Sequence, residues 1–169
     1  MTYVRLALAL AVVGCSPDNT SFRTTDQGDG VEPGGRPAAA YEVVVAGAPV
    51  ARVHVWSNGG YIGSSDEPMT QVGFEVRNVS VRPIAFDADA LQLAVFDAHG
   101  AVVPGTTFSA LTPLGPAEVT IAPGEVASLD AYFQLEARPA AVERMRVRWR
   151  LRLGGEPMTF TTNFVRDEP

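Results

Sequence analysis

The chain has 169 residues, with 13 basic and 19 acidic side chains, so its formal net charge is −6. This acidic balance argues against nucleic acid as a partner, because nucleic-acid binding depends on clustered positive charge. Every basic residue is an arginine, and the single cysteine excludes an internal disulfide framework.

The first fifteen residues have the pattern of an export signal. Arg5 precedes the eight-residue apolar run Leu6–Val13. A membrane-spanning helix needs about 20 apolar residues, so this run is too short to cross a bilayer and is typical of a signal peptide. The sequence Val12-Val13-Gly14-Cys15, which closes the segment, resembles the lipobox of bacterial lipoproteins.

This resemblance implies that residues 1–14 are removed and that Cys15 is acylated. The mature protein would then be extracytoplasmic and held at the bacterial cell envelope through acyl chains on Cys15, since stable anchoring takes two or more chains. Ser16, where an aspartate would favour retention in the inner membrane, favours the outer membrane. An ordinary secretory signal with a free thiol at Cys15 is the alternative.

Residues 15–40 are predicted to be the lipidated cysteine and a flexible linker. Prolines and glycines punctuate this segment, and it has no apolar periodicity. Such a composition buries too little apolar surface to offset the entropy of ordering the chain. Residues 41–169 are long enough for one domain with its own core.

Alternation of apolar and polar residues dominates this domain, and turn signals such as Asn58-Gly59-Gly60 separate the alternating runs. The pattern predicts an antiparallel β-sandwich of about seven to nine strands. The candidate strands are Tyr41–Ala46, Val50–Trp56, Thr70–Arg77, Ile84–Phe86, Leu91–Phe96, Ala101–Val103, Glu118–Ile121, Val126–Glu136, Glu143–Leu153 and Met158–Val165.

The last hairpin has a predictable register. With Gly154-Gly155 as a two-residue loop, Trp149 lies opposite Phe160 and Leu151 opposite Met158 on the apolar face. On the other face the predicted pairs are Arg146 with Asn163, Arg148 with Thr161 and Arg150 with Thr159. A shift by one residue would place aromatic side chains against arginines, so the pattern determines the register.

Four short motifs carry a second resemblance. They are Val76-Arg77-Asn78-Val79-Ser80, Phe96-Asp97-Ala98-His99-Gly100, Ala122-Pro123-Gly124-Glu125 and Ala131-Tyr132-Phe133-Gln134-Leu135. Together they resemble the small immunoglobulin-like domains of uncharacterised bacterial lipoproteins, over about residues 70–153. The resemblance implies an immunoglobulin-like sandwich without the cysteine bridge, and it implies no shared catalytic residues.

One strand carries the strongest charge pattern of the chain. Five arginines alternate with apolar residues and project from one face: Arg144, Arg146, Arg148, Arg150 and Arg152. Residues two apart on a strand are about 7 Å apart, within the Debye length of about 8 Å, so these charges repel unless neutralised. Either Glu75, Asp130 and Glu136 neutralise them from neighbouring strands, or the face binds an anionic envelope component or acidic protein.

The glycine-rich segment Ser57–Pro68 is the second candidate site. It contains Asn58 and is flanked by Trp56 and Tyr61, the composition of a binding loop on a rigid sandwich. A plain connection between strands is the alternative.

The sequence offers no cluster of catalytic or metal-binding residues. His54 lies on a predicted strand and His99 in a predicted turn, and neither has a second histidine or cysteine at a spacing typical of zinc sites. Asp87 and Asp89, with Asp97 or with Asp66 and Glu67 from loops, are a calcium candidate, and a solvated acidic face is the alternative. Asn78 fits a glycosylation sequon but is interpreted as the end of a strand.

The sequence therefore predicts a non-enzymatic, lipid-anchored binding or envelope-interaction module without a cofactor. Two alternatives remain open. One is a passive structural lipoprotein whose sandwich acts as a spacer, and the other is an accessory subunit of an envelope enzyme or transport complex.

Overall fold

The computed structural model describes residues 19–26, 30–31, 35, 37–103, 107–112 and 118–167. In these residues the secondary structure is almost entirely β, with two 3-10 turns at Ala88–Ala90 and Pro139–Ala141. The strands are β1 (Phe22–Thr24), β2 (Gly30–Val31), β3 (Pro37–Val45), β4 (Ala48–Ile62), β5 (Pro68–Asn78), β6 (Ile84–Asp87), β7 (Gln92–Phe96), β8 (Val102–Val103), β9 (Thr107–Thr112), β10 (Glu118–Ile121), β11 (Val126–Gln134), β12 (Arg144–Leu153) and β13 (Glu156–Arg166).

The strands form two antiparallel sheets. The first sheet has the order β2-β3-β4-β5-β11-β9. The second sheet has the order β1-β13-β12-β6-β10. β6 pairs with only one part of β12. β7 pairs with another part of β12, and β8 pairs with β7. Within the described residues, no helix is long and apolar enough to span a bilayer.

The strand order confirms the predicted immunoglobulin-like sandwich. In the constant-type immunoglobulin fold, strands A, B, E and D form one sheet, and strands G, F and C form the other. Here β4, β5, β11 and β9 occupy the first four positions, while β13, β12 and the β6–β7 pair occupy the other three. The structure describes thirteen strands rather than seven to nine, because strand C is split in two and short strands extend both sheets.

The register of the last hairpin matches the prediction. Trp149 pairs with Phe160 and Leu151 with Met158, and the arginines pair with Thr159, Thr161 and Asn163 on the opposite face.

The sequence motifs also have their expected turn roles. Asp97 Oδ1 accepts the backbone N–H groups of His99 and Ala101, each at 2.9 Å, and thereby closes the turn between β7 and β8.

Trp149 lies at the centre of the core between the sheets and is fully buried. Its indole stacks on Phe160 with the ring centroids 4.5 Å apart and contacts Tyr41 edge-on at 5.4 Å. Phe74, from the first sheet, completes the aromatic cluster, with its ring centroid 6.1 Å from that of Trp149. The inward residues of β11 and β5 are all buried in the same core: Leu129, Ala131, Phe133, Val72, Phe74 and Val76.

A chain of hydrogen bonds extends from this cluster. Trp149 Nε1–H donates to Thr162 Oγ1 at 3.0 Å, and the Thr162 and Tyr41 hydroxyls are 2.8 Å apart. The Tyr41 hydroxyl in turn lies 2.9 Å from Asp26 Oδ2. Burial raises the pKa of Tyr41, and the Asp26 carboxylate adds to this effect, so the hydroxyl stays protonated as a donor.

The described residues before position 41 correct the predicted start of the domain. β3 begins at Pro37, and Ala38 and Ala39 are buried in the sandwich. Further upstream, β1 pairs with the end of β13, and Phe22 belongs to the core. The composition of the segment concealed this, because one phenylalanine and a three-residue strand leave no periodicity to detect. The signal peptide and Cys15 lie outside the described residues.

Phe22→Ala tests whether the N-terminal strand belongs to the folded domain. Because Phe22 is 6% exposed, we expect the substitution to lower the free energy of unfolding by about 3 kcal/mol, which urea denaturation measures. Arg23→Ala is the control, since the Arg23 side chain is 63% exposed and should change stability little. Equal denaturation midpoints for the two variants would contradict the assignment.

Candidate functional site

The five arginines of β12 lie on the outer face of the second sheet. The residues between them point into the core, where Met145, Val147, Trp149 and Leu151 are at most 1% exposed. Arginine is tolerated at every second position because the outer face contacts water. The strand is central in its sheet, with β13 on one side and β6 and β7 on the other, so the arginine row crosses the middle of that face.

One end of the row is neutralised. Arg152 donates from Nε and Nη2 to Asp87 Oδ2 at 3.0 and 2.6 Å, and Arg150 Nη1 lies 3.5 Å from the same oxygen. Glu118 Oε2 approaches Arg152 Nε at 3.6 Å. Burial works against ionisation of Asp87, yet its bonds with Arg152 and the charge of Arg150 outweigh that effect and hold its pKa below the usual 3.8.

The carboxylates that neutralise this end are not those expected from the sequence. Glu75 lies on β5 and Asp130 on β11, both in the opposite sheet, and Glu136 follows β11. Glu75 contacts His54 instead, with Oε1 and Nδ1 3.5 Å apart. The expectation failed because composition alone does not say which strands adjoin β12.

The other end of the row has a different environment. Arg144, Arg146 and Arg148 are exposed, and no carboxylate of the described residues forms a salt bridge with them. The guanidinium carbons of Arg144 and Arg146 lie 5.7 and 5.4 Å from the centre of the Phe96 ring, within range of a cation–π interaction. Arg146 Nε also donates to Asn163 Oδ1 at 3.1 Å.

Two depressions flank these three arginines. The larger has a volume of about 480 Å³ and is lined by Arg144, Arg146, Phe96, Asn163 and Thr25, among others. The second, of about 450 Å³, lies between Arg146 and Arg148 and includes Gln92 and Thr161. This end therefore offers several cationic donors around concave surface. We call Arg144, Arg146 and Arg148 the open arginine cluster.

The glycine-rich segment differs from the predicted binding loop. β4 continues through it to Ile62, with a bulge near Asn58, and β5 begins at Pro68. Trp56 is 6% exposed and packs across Gly73, where any Cβ would lie about 2.2 Å from the indole. Tyr61 is half-buried near Tyr132, and burial raises its pKa. The bulge allows a glycine-rich stretch to remain in the ladder, which the turn signal did not reveal.

The remaining polar candidates have structural roles. The Asn78 side chain is buried and donates to the carbonyls of Arg82 and Ile121 at 2.8 and 2.9 Å, so it closes the end of β5. Asp87 is held by arginines, as described. In the part of the chain that the structure describes, no three His, Cys, Asp or Glu side chains group closely enough to hold a metal ion.

Asp87→Asn tests the neutralised end. At neutral pH we expect the free energy of unfolding to fall by about 1–3 kcal/mol, because two arginines lose a buried anionic acceptor. The folded-state pKa of Asp87 is depressed, so its contribution is complete well above pH 3.8 and disappears as the pH falls through the lower folded value. Thermal unfolding from about pH 7 to pH 2 measures both effects, with the exposed Asp89→Asn as control. A stability difference that persists unchanged at pH 2 would contradict this account.

No family model and no curated protein matches the sequence. Several solved structures align with the chain at low sequence identity. A FixG-related protein from Vibrio parahaemolyticus aligns with 13% identity over 68% of this chain and 94% of its own, with a TM-score of 0.44. The GAE domain of GGA2p from Saccharomyces cerevisiae aligns with 14% identity over 75% and 96%, with a TM-score of 0.37. The ASH/PapD-like domain of human CEP192 aligns with 12% identity over 95% and 92%, with a TM-score of 0.36.

Proposed function

We propose that this protein is a non-enzymatic binding module of the bacterial cell envelope, lipid-anchored through Cys15, that recognises an anionic partner with the open arginine cluster. The observation that carries the proposal is the difference between the two ends of one strand. Asp87 and Glu118 neutralise Arg150 and Arg152, while Arg144, Arg146 and Arg148 have no carboxylate partner among the described residues.

Electrostatics supports a ligand at that end. Alternate arginines on a strand repel one another within a Debye length, and nothing in the core requires their charge. The Phe96 ring and the Asn163 amide hold two of the guanidinium groups in place without removing their charge. Prearranged guanidinium groups match carboxylate and phosphate oxygens, and less side-chain entropy is lost when an anion binds them.

The spacer interpretation has support at the neutralised end only. There Arg150 and Arg152 stabilise the interrupted strand C by holding Asp87. This structural role requires no binding partner. The open arginine cluster holds no carboxylate among the described residues. A binding function therefore explains the presence of these three arginines, which the spacer interpretation does not.

The triple substitution of the open cluster, Arg144→Gln, Arg146→Gln and Arg148→Gln, tests the proposal. We expect it to weaken binding to an anionic probe about tenfold or more, since charge-assisted hydrogen bonds contribute roughly 1.5–3 kcal/mol each. The probes are phosphatidylglycerol vesicles, polygalacturonate and polyglutamate, measured at several salt concentrations. The residual binding should also depend less on salt.

The matched control replaces three arginines elsewhere, Arg52→Gln, Arg77→Gln and Arg82→Gln. It changes the net charge by the same amount and leaves the open cluster intact. Equal weakening by both triple variants would show that only net charge matters. The proposal fails if the wild-type protein shows no salt-sensitive binding to any of the three probes.

Cys15→Ser tests the anchor. Without the thiol no acyl chain can be attached, and we expect the protein to move from the membrane fraction to the soluble fraction of the cells. Ser16→Ala is the control, because it changes the neighbouring residue and keeps the cysteine. Membrane association that survives Cys15→Ser would refute lipid anchoring at this position.

A further inference from the structure

Strand β13 forms an outer edge of the second sheet over most of its length. β1 pairs only with Phe164–Arg166, and one further backbone bond joins Thr25 N–H to Asn163 O at 3.0 Å. By Gly30 the chain already pairs with Ala38 in the first sheet. Within the described residues, therefore, no strand lies beside positions 156–162 of β13 on the side away from β12.

The backbone groups along this edge alternate in direction. Both the N–H and the carbonyl of Asn163 point away from β12, since the N–H donates to Asp26 Oδ2 at 2.7 Å and the carbonyl accepts from Thr25. Residues two positions apart on a strand point the same way. The backbone groups of Thr161 and Thr159 thus also face this side, and both side chains are exposed. The Thr161 carbonyl accepts from the Tyr41 hydroxyl at 3.2 Å, so the Thr161 N–H and both backbone groups of Thr159 remain for an added strand. Pro157, which has no N–H, ends this stretch.

The chain itself shows what an acidic residue does at this edge. The Asp26 carboxylate accepts the backbone N–H of Asn163 and also its Nδ2, at 3.1 Å. Asn163 Oδ1 in turn accepts from Arg146 at 3.1 Å. A carboxylate beside β13 is therefore linked to the arginine strand through one small side chain.

At the next two positions along the edge, threonines stand in place of Asn163, and of the two facing arginines only Arg150 has a carboxylate partner, Asp87, among the described residues. Arg148 lies opposite Thr161 and Arg150 opposite Thr159, all four on the outer face. Strands lie about 4.8 Å apart, so a strand added beyond β13 would run about 10 Å from the backbone of β12. Extended arginine and glutamate side chains together span that distance, and the threonines between them are too small to block it.

We propose that this edge of β13 binds an extended acidic peptide as an added strand, with a carboxylate meeting Arg148, which has no carboxylate partner among the described residues. The inference rests on the proposed function and names its partner class. Main-chain hydrogen bonds to Thr159 and Thr161 supply affinity, and the alternating side chains supply specificity, as in other cases of strand addition.

The test uses two synthetic peptides of equal composition and charge. In one, glutamate and valine alternate, so an extended chain presents all carboxylates on one face. In the other, the glutamates and the valines are in separate blocks. We expect the alternating peptide to bind about tenfold tighter in fluorescence anisotropy. Thr161→Pro removes the edge N–H and should abolish this preference, whereas Thr161→Ala keeps the N–H and should retain it.

A second measurement does not depend on the proline variant folding. In the wild-type protein, hydrogen exchange of the Thr159 and Thr161 amides should slow when the alternating peptide is added, and exchange of the Val81 amide, in an exposed loop, should not. Equal binding of both peptides, or unchanged exchange at Thr159 and Thr161, overturns strand addition. If both peptides still bind and lose affinity in the open-cluster variant, the proposed anion binding stands without it. If the wild-type protein binds neither peptide, nor the vesicles, nor the glycan, both proposals are overturned.

Discussion

The hydrogen-bonded chain from Trp149 through Thr162 and Tyr41 to Asp26 connects the last hairpin with β3 of the first sheet and with the N-terminal segment. Trp149 fills the centre of the core, and its indole N–H would be an unsatisfied buried donor without Thr162. Tyr41 crosses from the first sheet to the second, so the two sheets are joined by polar contacts as well as by packing. Since Asp26 also accepts from Asn163, the N-terminal segment is held at the edge of β13 by the same network.

The uneven charge along β12 follows from how strand C is built. The turn at Ala88–Ala90 interrupts it, so β6 reaches only one end of β12 and β7 the other. Asp87, the last residue of β6, lies where it can accept from Arg150 and Arg152. β7 presents Phe96 and Gln92 rather than carboxylates to the remaining arginines, so one strand carries a neutralised end and a charged end.

The sandwich and the last hairpin were predictable because alternation and a two-residue turn specify them locally. Trp149 opposite Phe160 follows from counting outward from Gly154-Gly155. The partners of the arginines were not predictable, since they depend on which strands adjoin β12, a property of the whole topology. β1 was missed for a similar reason: Phe22 is a single apolar residue whose burial depends on a distant edge. Trp56 looked like part of a binding loop because the glycines around it are typical of turns, yet a bulge keeps them in the sheet.

The way β1 attaches also determines how the domain responds to mechanical force. A pull on the chain at Asn19 is resisted first by the paired backbone bonds of Thr20 with Gly60, at 2.9 and 2.8 Å, and then by the three residue pairs of β1. Each pair that opens exposes another residue of β13, so tension on the N-terminal segment would lengthen the free edge beside the arginines.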